Sequence, residues 1–181
     1  MKALLSSLLV LCIINTAPAQ SGDDKIFLKG DQVIEAGGGL ALFFHSKITW
    51  KGQDTTYNDS TGSIIFPVRY QYALNDWFGI GGMFRFHNYI EGQNDESQAV
   101  GFDLGARADM HYLRTRRLDF SGALGFGYTH MDWKGNDVSN QHFYGSGFHF
   151  DVELIGRFYF SDHFGMNICY GRIIQNLPNM T

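Results

Sequence analysis

The stretch SGFHFDVELIGRFYF, residues 146–160, decides the fold class because its side chains alternate between an apolar face and a face that holds the charges together with Ile155 and Tyr159. One alternate set is apolar apart from a glycine: Phe148, Phe150, Val152, Leu154, Gly156, Phe158 and Phe160. The other set carries the charged and polar groups: His149, Asp151, Glu153 and Arg157. A period of two is that of a β-strand. The strand alone leaves open whether its apolar face meets a soluble core or membrane lipid.

Six further stretches repeat this alternation, with charges on one face and large apolar groups on the other. They cover residues 33–45, 62–74, 77–90, 99–113, 118–131 and 164–171. Their connections alternate between long and short, which is typical of outer-membrane barrels with short periplasmic turns and longer outside loops. The pattern predicts an all-β fold: a transmembrane up-and-down antiparallel β-barrel of the eight-stranded type, with seven strands clear and the last missing or degenerate.

The polar face argues against a soluble, lipocalin-like barrel, which would expose that face to water. It is rich in small residues, contains few lysines and carries both signs of charge on facing strands. Tyrosines near strand ends on the apolar face suit the aromatic belts of a membrane barrel. We therefore expect a lumen charge network formed by Glu35, Arg69, Arg85, Asp103, Arg107, Asp109, Asp151, Glu153 and Arg157. Asp119 lies on the same face.

The chain opens with the features of a secretory signal peptide, followed by a polar segment. Lys2 precedes an apolar run, and Ala17-Pro18-Ala19 is a small-residue cleavage site. The expected organisation is a signal peptide at residues 1–19, a periplasmic lead-in at 20–32 and a barrel domain at 33–181. After cleavage Cys169 is the only cysteine, so no internal disulfide is expected. The formal net charge of −4 argues against nucleic-acid binding.

Catalytic and metal sites find little support in the sequence. His87, His111 and His149 fall on the polar face, where we interpret them as parts of a hydrogen-bonded interior. The spacings typical of zinc sites are missing, so neither a cofactor nor a metal is expected. His130-Met131-Asp132 stands near a strand end on the lipid face but lacks the serine of a His-x-Ser motif. We expect no enzymatic activity.

With its strands laid out, the chain resembles the small outer-membrane β-barrel proteins of Gram-negative bacteria. The similarity is to the OmpA transmembrane domain, OmpX and OmpW group, in the versions common in Bacteroidetes. It is carried by KGDQVI at residues 29–34, LNDWFGIGG at 74–82 and GRFYFSDHFG at 156–165. The resemblance implies location in the outer membrane and contact with its lipid and lipopolysaccharide. It also implies insertion by the barrel assembly machinery, and some relatives of this size are lipid A-modifying hydrolases.

An eighth strand is missing after Gly171, where the alternation gives way to RIIQNLPNMT. An open barrel exposes unpaired backbone groups to lipid. Three explanations stay open: a truncated or frameshifted chain end, a short closing strand from residues 25–29, or a partner chain.

The predicted function is structural or interactive. The barrel would anchor in the membrane with a lumen filled by side chains and present residues 46–61, 91–98 and 132–145 outside to an unknown extracellular ligand. The alternative is a narrow or laterally opening, porin-like channel for small apolar molecules.

Overall fold

The computed structural model describes residues 3–18, 27–50, 53–57, 61–90, 98–134, 142–161 and 164–177. In these ranges the regular structure is β-strand. The strands are β1 (Ala3–Pro18), β2 (Gln32–Trp50), β3 (Gln53–Tyr57), β4 (Thr61–Asn75), β5 (Phe78–Ile90), β6 (Gln98–Arg114), β7 (Leu118–Lys134), β8 (His142–Tyr159) and β9 (Phe164–Asn176). The seven predicted strands are confirmed as β2 and β4–β9. Within the described part of the chain, no helix is long and apolar enough to cross a membrane.

Antiparallel pairing follows chain order from β2 through β4 to β9, with β3 added to β2 as a hairpin. This is up-and-down topology. The turn after β4 is held by Asn75, whose side-chain oxygen accepts hydrogen bonds from the backbone N–H groups of Trp77 (3.0 Å) and Phe78 (2.9 Å). We call this end of the barrel the short-turn end, and the opposite end the long-connection end.

The two faces of the wall have the polarity predicted from the alternation. Charged side chains lie inside, and large apolar side chains such as Leu104, Phe126 and Leu154 are more than half exposed on the outside. The tyrosines expected near the rims are exposed as well: Tyr70, Tyr72, Tyr112, Tyr128 and Tyr170. The interior of this sheet is therefore its polar side.

Three sequence expectations about the segments beside the strands are wrong. Residues 46–50 and 53–57 are strand rather than polar loop, because they pair as a hairpin from Ser46↔Tyr57 to Trp50↔Gln53. The last strand runs past Gly171 to Asn176, and Ile173 and Gln175 continue its buried face. Residues 27–29 are not a closing strand. Residues 19–26, 91–97 and 135–141 of the predicted lead-in and loops lie outside the described residues.

The ring of strands is closed by β1, which comes from the segment predicted to be a signal peptide. It pairs antiparallel with β2 from Leu4↔Ile48 to Pro18↔Val33 and with β9 from Ala3↔Asn176 to Asn15↔Phe164. With β1 the closed ring has eight strands. The sequence of β1 lacks the polar alternation of the other seven, since both of its alternate sets are mainly apolar. Removal of residues 1–19 on export stays a prediction.

Candidate functional site

All nine residues of the predicted lumen charge network lie inside the barrel, and none is more than 5% exposed. They come from β2, β4, β5, β6 and β8. The alternation places each of them on the inner face, and the curvature of the sheet then brings strands that are far apart in sequence into contact across the lumen. Eight of the nine side chains form two linked groups around Glu153 and Arg157, and Asp103 belongs to a third cluster.

Glu153 is the centre of the first group. Its Oε1 accepts a hydrogen bond from Arg85 Nη2 at 2.8 Å. Its Oε2 accepts from Arg107 Nη1 at 2.8 Å and from Arg69 Nη2 at 3.3 Å. One carboxylate therefore faces three guanidinium groups from three different strands.

Each of these arginines has a second carboxylate partner. Arg107 forms a fork on Asp109, with Nε to Oδ2 at 2.8 Å and Nη2 to Oδ1 at 2.9 Å. Arg85 Nη2 donates to Asp151 Oδ2 at 2.9 Å. Arg69 Nη1 donates to Glu35 Oε2 at 3.5 Å. Such charge-assisted bonds are among the strongest that side chains make.

Arg157 is the centre of the second group, nearer the short-turn end. Its Nη1 donates to Asp119 Oδ2 at 2.8 Å and to Ser121 Oγ at 2.6 Å. Its Nε lies 2.6 Å from Glu35 Oε1 as an ion pair without hydrogen-bond geometry. Glu35 joins the two groups, because Arg69 contacts its other oxygen.

Asp119, His111 and Gln71 extend the second group beyond the nine residues. His111 Nδ1 lies 2.7 Å from Asp119 Oδ1, and His111 Nε2 lies 2.9 Å from Gln71 Nε2. A signal for the His111–Asp119 pair was present in the sequence. The two residues flank the short turn at 115–117 on the same face, so the hairpin brings them together.

A third cluster fills the lumen toward the long-connection end. Asp103 is fully buried and lies 2.8 Å from His87 Nε2, through its Oδ2. Its Oδ1 accepts a hydrogen bond from Gln175 Nε2 at 3.1 Å and lies 3.9 Å from His149 Nδ1. Gln175 also donates to Thr129 at 3.0 Å. Gln175 lies beyond Gly171, where the alternation in the sequence gives way, so the pattern does not predict its place in the lumen.

The buried acids of the described barrel outnumber its buried arginines by two. Inside the described barrel there are four arginines (Arg69, Arg85, Arg107, Arg157) against six acids (Glu35, Asp103, Asp109, Asp119, Asp151, Glu153). The difference is two negative charges, and Asp103 and Asp119 are the two acids in direct contact with a histidine. Each of these imidazoles is a polar partner of one acid, and Asp119 also accepts a hydrogen bond from Arg157.

Phe27 covers the network at the short-turn end. It is 3% exposed, has a φ of 74° and stacks on His111 with ring centroids 3.9 Å apart. Asp31 shapes the turn that follows by accepting a hydrogen bond from the N–H of Leu28 at 2.7 Å. The Phe27 carbonyl accepts a hydrogen bond from Arg114 at 3.1 Å. The end of the lead-in is thus a lid on the polar interior.

A serine and a histidine meet on the outer face, where the sequence alone showed no serine for His130. Ser146 Oγ, from β8, lies 2.8 Å from His130 Nδ1, from β7. The two residues are direct cross-strand partners, and both are partly exposed. Phe102 packs against the imidazole with ring centroids 5.5 Å apart. Cross-strand pairs of this kind are ordinary stabilising contacts of a sheet.

The part of the chain that the structure describes contains no group of three or more His, Cys, Asp or Glu side chains placed to hold a metal ion. Cys169 is buried, and its sulfur lies 3.9 Å from Arg69 Nη2.

Comparisons with known proteins add little to this geometry. No family model matches the chain, and no curated protein matches it. Among solved structures, the chain is similar to the outer membrane protease OmpT from Escherichia coli at 7% identity and a TM-score of 0.29, over 97% of this chain and 96% of that one. A likeness at this level carries no argument, and the function must be argued from the barrel itself.

Proposed function

We propose that the protein is a non-enzymatic β-barrel of the Gram-negative outer membrane, exported by a cleaved signal peptide. Its wall contacts lipid and lipopolysaccharide, its lumen is closed by side chains, and its long connections are presented to an extracellular ligand. The observation that carries the proposal is the inverted polarity of the wall, with charges inside and an apolar surface outside.

The apolar outer surface supports the membrane assignment. Each strand from β4 to β9 contributes large side chains to this surface. Among them are Phe66, Phe84, Leu104, Phe126 and Phe148, which are 40–62% exposed. Soluble monomers rarely expose apolar patches larger than a few hundred Å². Lipid contact removes this conflict, because the outward face of a membrane barrel is an apolar band with aromatic rims. Insertion by the barrel assembly machinery belongs to the same proposal.

The filled lumen supports a structural role rather than conduction. The ring of eight strands, with the position of β1 filled, encloses an interior just wide enough for side chains. Here Arg69, Arg85, Arg107 and Arg157 cross that space and end on carboxylates. Opening a path for ions would separate buried ion pairs, each at roughly 3–5 kcal/mol if one partner is lost.

Conductance in planar lipid bilayers tests the closed lumen. We expect the purified protein to give no stable current steps, whereas a double variant that removes two crossing side chains, Arg69→Ala with Arg107→Ala, gives brief openings. Stable steps from the unaltered protein would refute the closed lumen. The outer-face variant Phe126→Ala is a control that leaves the lumen intact.

Cell fractionation and gel mobility test the membrane barrel itself. The protein should be recovered with the outer membrane and should migrate faster unheated than boiled, as folded barrels do. Recovery in the soluble periplasmic fraction, with no mobility change on heating, would contradict the proposal.

A conduit for small apolar molecules is the second candidate, and one observation favours it. Part of the inner wall is apolar, formed by Ala41, Ile65, Ala123, Ile155, Cys169 and Ile173. These residues lie on strands that include β2 and β9, the neighbours of β1. Uptake of an apolar tracer by cells that express the protein should then fall when Ile155 is replaced by Arg. Unchanged uptake would leave only the structural role.

The Ser146–His130 pair offers a test of the non-enzymatic assignment. If the pair is a cross-strand contact only, Ser146→Ala leaves the lipid composition of expressing cells unchanged. Altered acylation of lipid A that depends on Ser146 would overturn this part of the proposal.

A further inference from the structure

The strand slot occupied by β1 has a direction that restricts its occupants. β2 and β9 both run from the short-turn end to the long-connection end, and β1 runs the other way between them. A strand that pairs antiparallel with both edges must share the direction of β1. Two copies of the chain oriented alike in a membrane would bring β9 beside β2 in parallel, so they do not reproduce this pairing.

The segment in the slot is a poor match for its surroundings. Leu8, Val10, Cys12 and Ile14 are the register partners of inner-face residues of β9 and β2. Every other strand of the ring carries polar or charged residues on its inner set. The same segment is the predicted signal peptide, whose removal would free both edges of the slot.

Asn167 indicates what the slot requires instead. Its side chain is fully buried on the inner face of β9, and neither its Nδ2 nor its Oδ1 has a hydrogen-bond partner among the described residues. Its register partner across the slot is Cys12, which is in turn opposite Gly39. Buried amide groups are rarely left unpaired, since each loses its hydrogen bonds to water without replacement. A residue with both a donor and an acceptor at the Cys12 position would satisfy Asn167.

We propose that the β2–β9 slot of the mature protein is a docking site for a strand donated by a second polypeptide. That strand has its N-terminal end at the long-connection end, spans the 13 positions over which β1 pairs with β9, and is apolar at alternate residues. It carries Asn, Gln, Ser or Thr opposite Asn167. Main-chain hydrogen bonds to the edges of β2 and β9 provide affinity, and the donated residue opposite Asn167 provides specificity. The inference rests on the proposed membrane barrel and on removal of residues 1–19.

Cys169 makes the register of the donated strand measurable. It is the only cysteine in residues 20–181, and its partner in the slot is Val10. Directly opposed residues of antiparallel strands have Cα atoms about 4.5–5.5 Å apart, within the range that a disulfide spans. The neighbouring residue Leu9 is paired with Tyr170, which is exposed on the outer face.

The experiment uses synthetic peptides of residues 3–18 with Cys12→Asn and one thiol activated as a thiopyridyl disulfide. The thiol is placed at Val10→Cys in the test peptide and at Leu9→Cys in the control. Attack by the Cys169 thiolate forms the protein–peptide disulfide and releases pyridine-2-thione, so no added oxidant is needed. The protein is extracted from outer membranes, unfolded to release any bound strand and refolded in detergent with each peptide. Intact mass and N-terminal sequencing of the extract come first.

We expect a mature chain that begins at Gln20 and couples at least about tenfold faster to the Val10→Cys peptide than to the Leu9→Cys peptide, because only the first places sulfur opposite sulfur. A peptide with Cys12→Ile instead of Cys12→Asn should need a higher concentration for half-maximal coupling. The donated strand would be overturned by equal coupling at both thiol positions or by no coupling. It would also be overturned if the extracted protein still contained residue 3 at its N-terminus, or if its mass showed further residues after residue 181. Absence of the protein from the outer membrane would instead overturn the proposed function.

Discussion

Replacement of Glu153 by Gln is the sharpest test of the charge network, because this carboxylate contacts three arginines. The distances are 2.8 Å to Arg85, 2.8 Å to Arg107 and 3.3 Å to Arg69. Glutamine removes the negative charge and turns one acceptor oxygen into a donor group that faces a guanidinium. The change is nearly isosteric, so the result reports charge and hydrogen bonding rather than packing.

The expected cost can be bounded from these contacts. At an effective dielectric of 20, each pair at about 4 Å is worth about 4 kcal/mol. Relief from the desolvation of the carboxylate, several kcal/mol, opposes the loss of the three pairs. Arg85 and Arg107 retain close contacts with Asp151 and Asp109. We therefore expect Glu153→Gln to lower the free energy of unfolding by roughly 3–5 kcal/mol, the range for breaking a buried ion pair from one side.

Urea unfolding of the protein in lipid vesicles, followed by tryptophan fluorescence, measures this change. The urea dependence should stay constant, so that a shift in midpoint reports stability alone. Glu35→Gln should cost less, since the ion pairs of Glu35 within the described residues are two, with Arg69 at 3.5 Å and with Arg157 at 2.6 Å. The exposed Asp76→Asn removes the same charge outside the network. A loss below about 1 kcal/mol for Glu153→Gln, the value of a surface pair, would refute a stabilising network.

Three further changes test the wall, the outer surface and the lid. Gly81→Ala would place its Cβ against the carbonyl of Tyr70 on the neighbouring strand, so the folded yield in vesicles should fall sharply. Its neighbour Gly82→Ala has only an ordinary 3.6 Å contact and should fold normally; equal yields would contradict the strand spacing. Phe126→Arg, at the middle of the outer face, should lower the free energy of unfolding in vesicles by about 2–4 kcal/mol, and Leu118→Arg near the short-turn rim by about 0–1; equal losses would argue against a membrane around the barrel. Phe27→Ala should cost about 3–5 kcal/mol in the same urea titration, because the ring is buried on His111; a loss under 1 kcal/mol would show that the lid is not held.

The parts of the fold that could be predicted are those that depend on local alternation. The face of each residue follows from its parity along a strand, so Arg85 and Glu153 were assigned to the same interior without knowledge of their contact. Parity does not say which strands face each other across the lumen. The three arginines around Glu153 therefore became visible only in three dimensions.

Predictions failed where alternation fades or where contacts are remote in sequence. The apolar pair Ile173-Ile174 hid the last part of β9, since consecutive apolar residues have no period of two. The hairpin of β2 and β3 has polar residues on both faces, so it looked like a loop. Ser146 meets His130 only because two strands pair in one register, and a shift of one residue would separate them.

The sequence by itself determined the class of the barrel, the sidedness of its wall and the location of its charges, because these depend on a repeat of two residues within each strand. Only the tertiary structure decided how the ring closes and which charges pair. Closure depends on the directions and free edges of β2 and β9, which are far apart in the chain. Residues 146–160 thus define a charged inner face, and only the register of the next strand shows that both polar atoms of Asn167 lack a partner beside the β1 position.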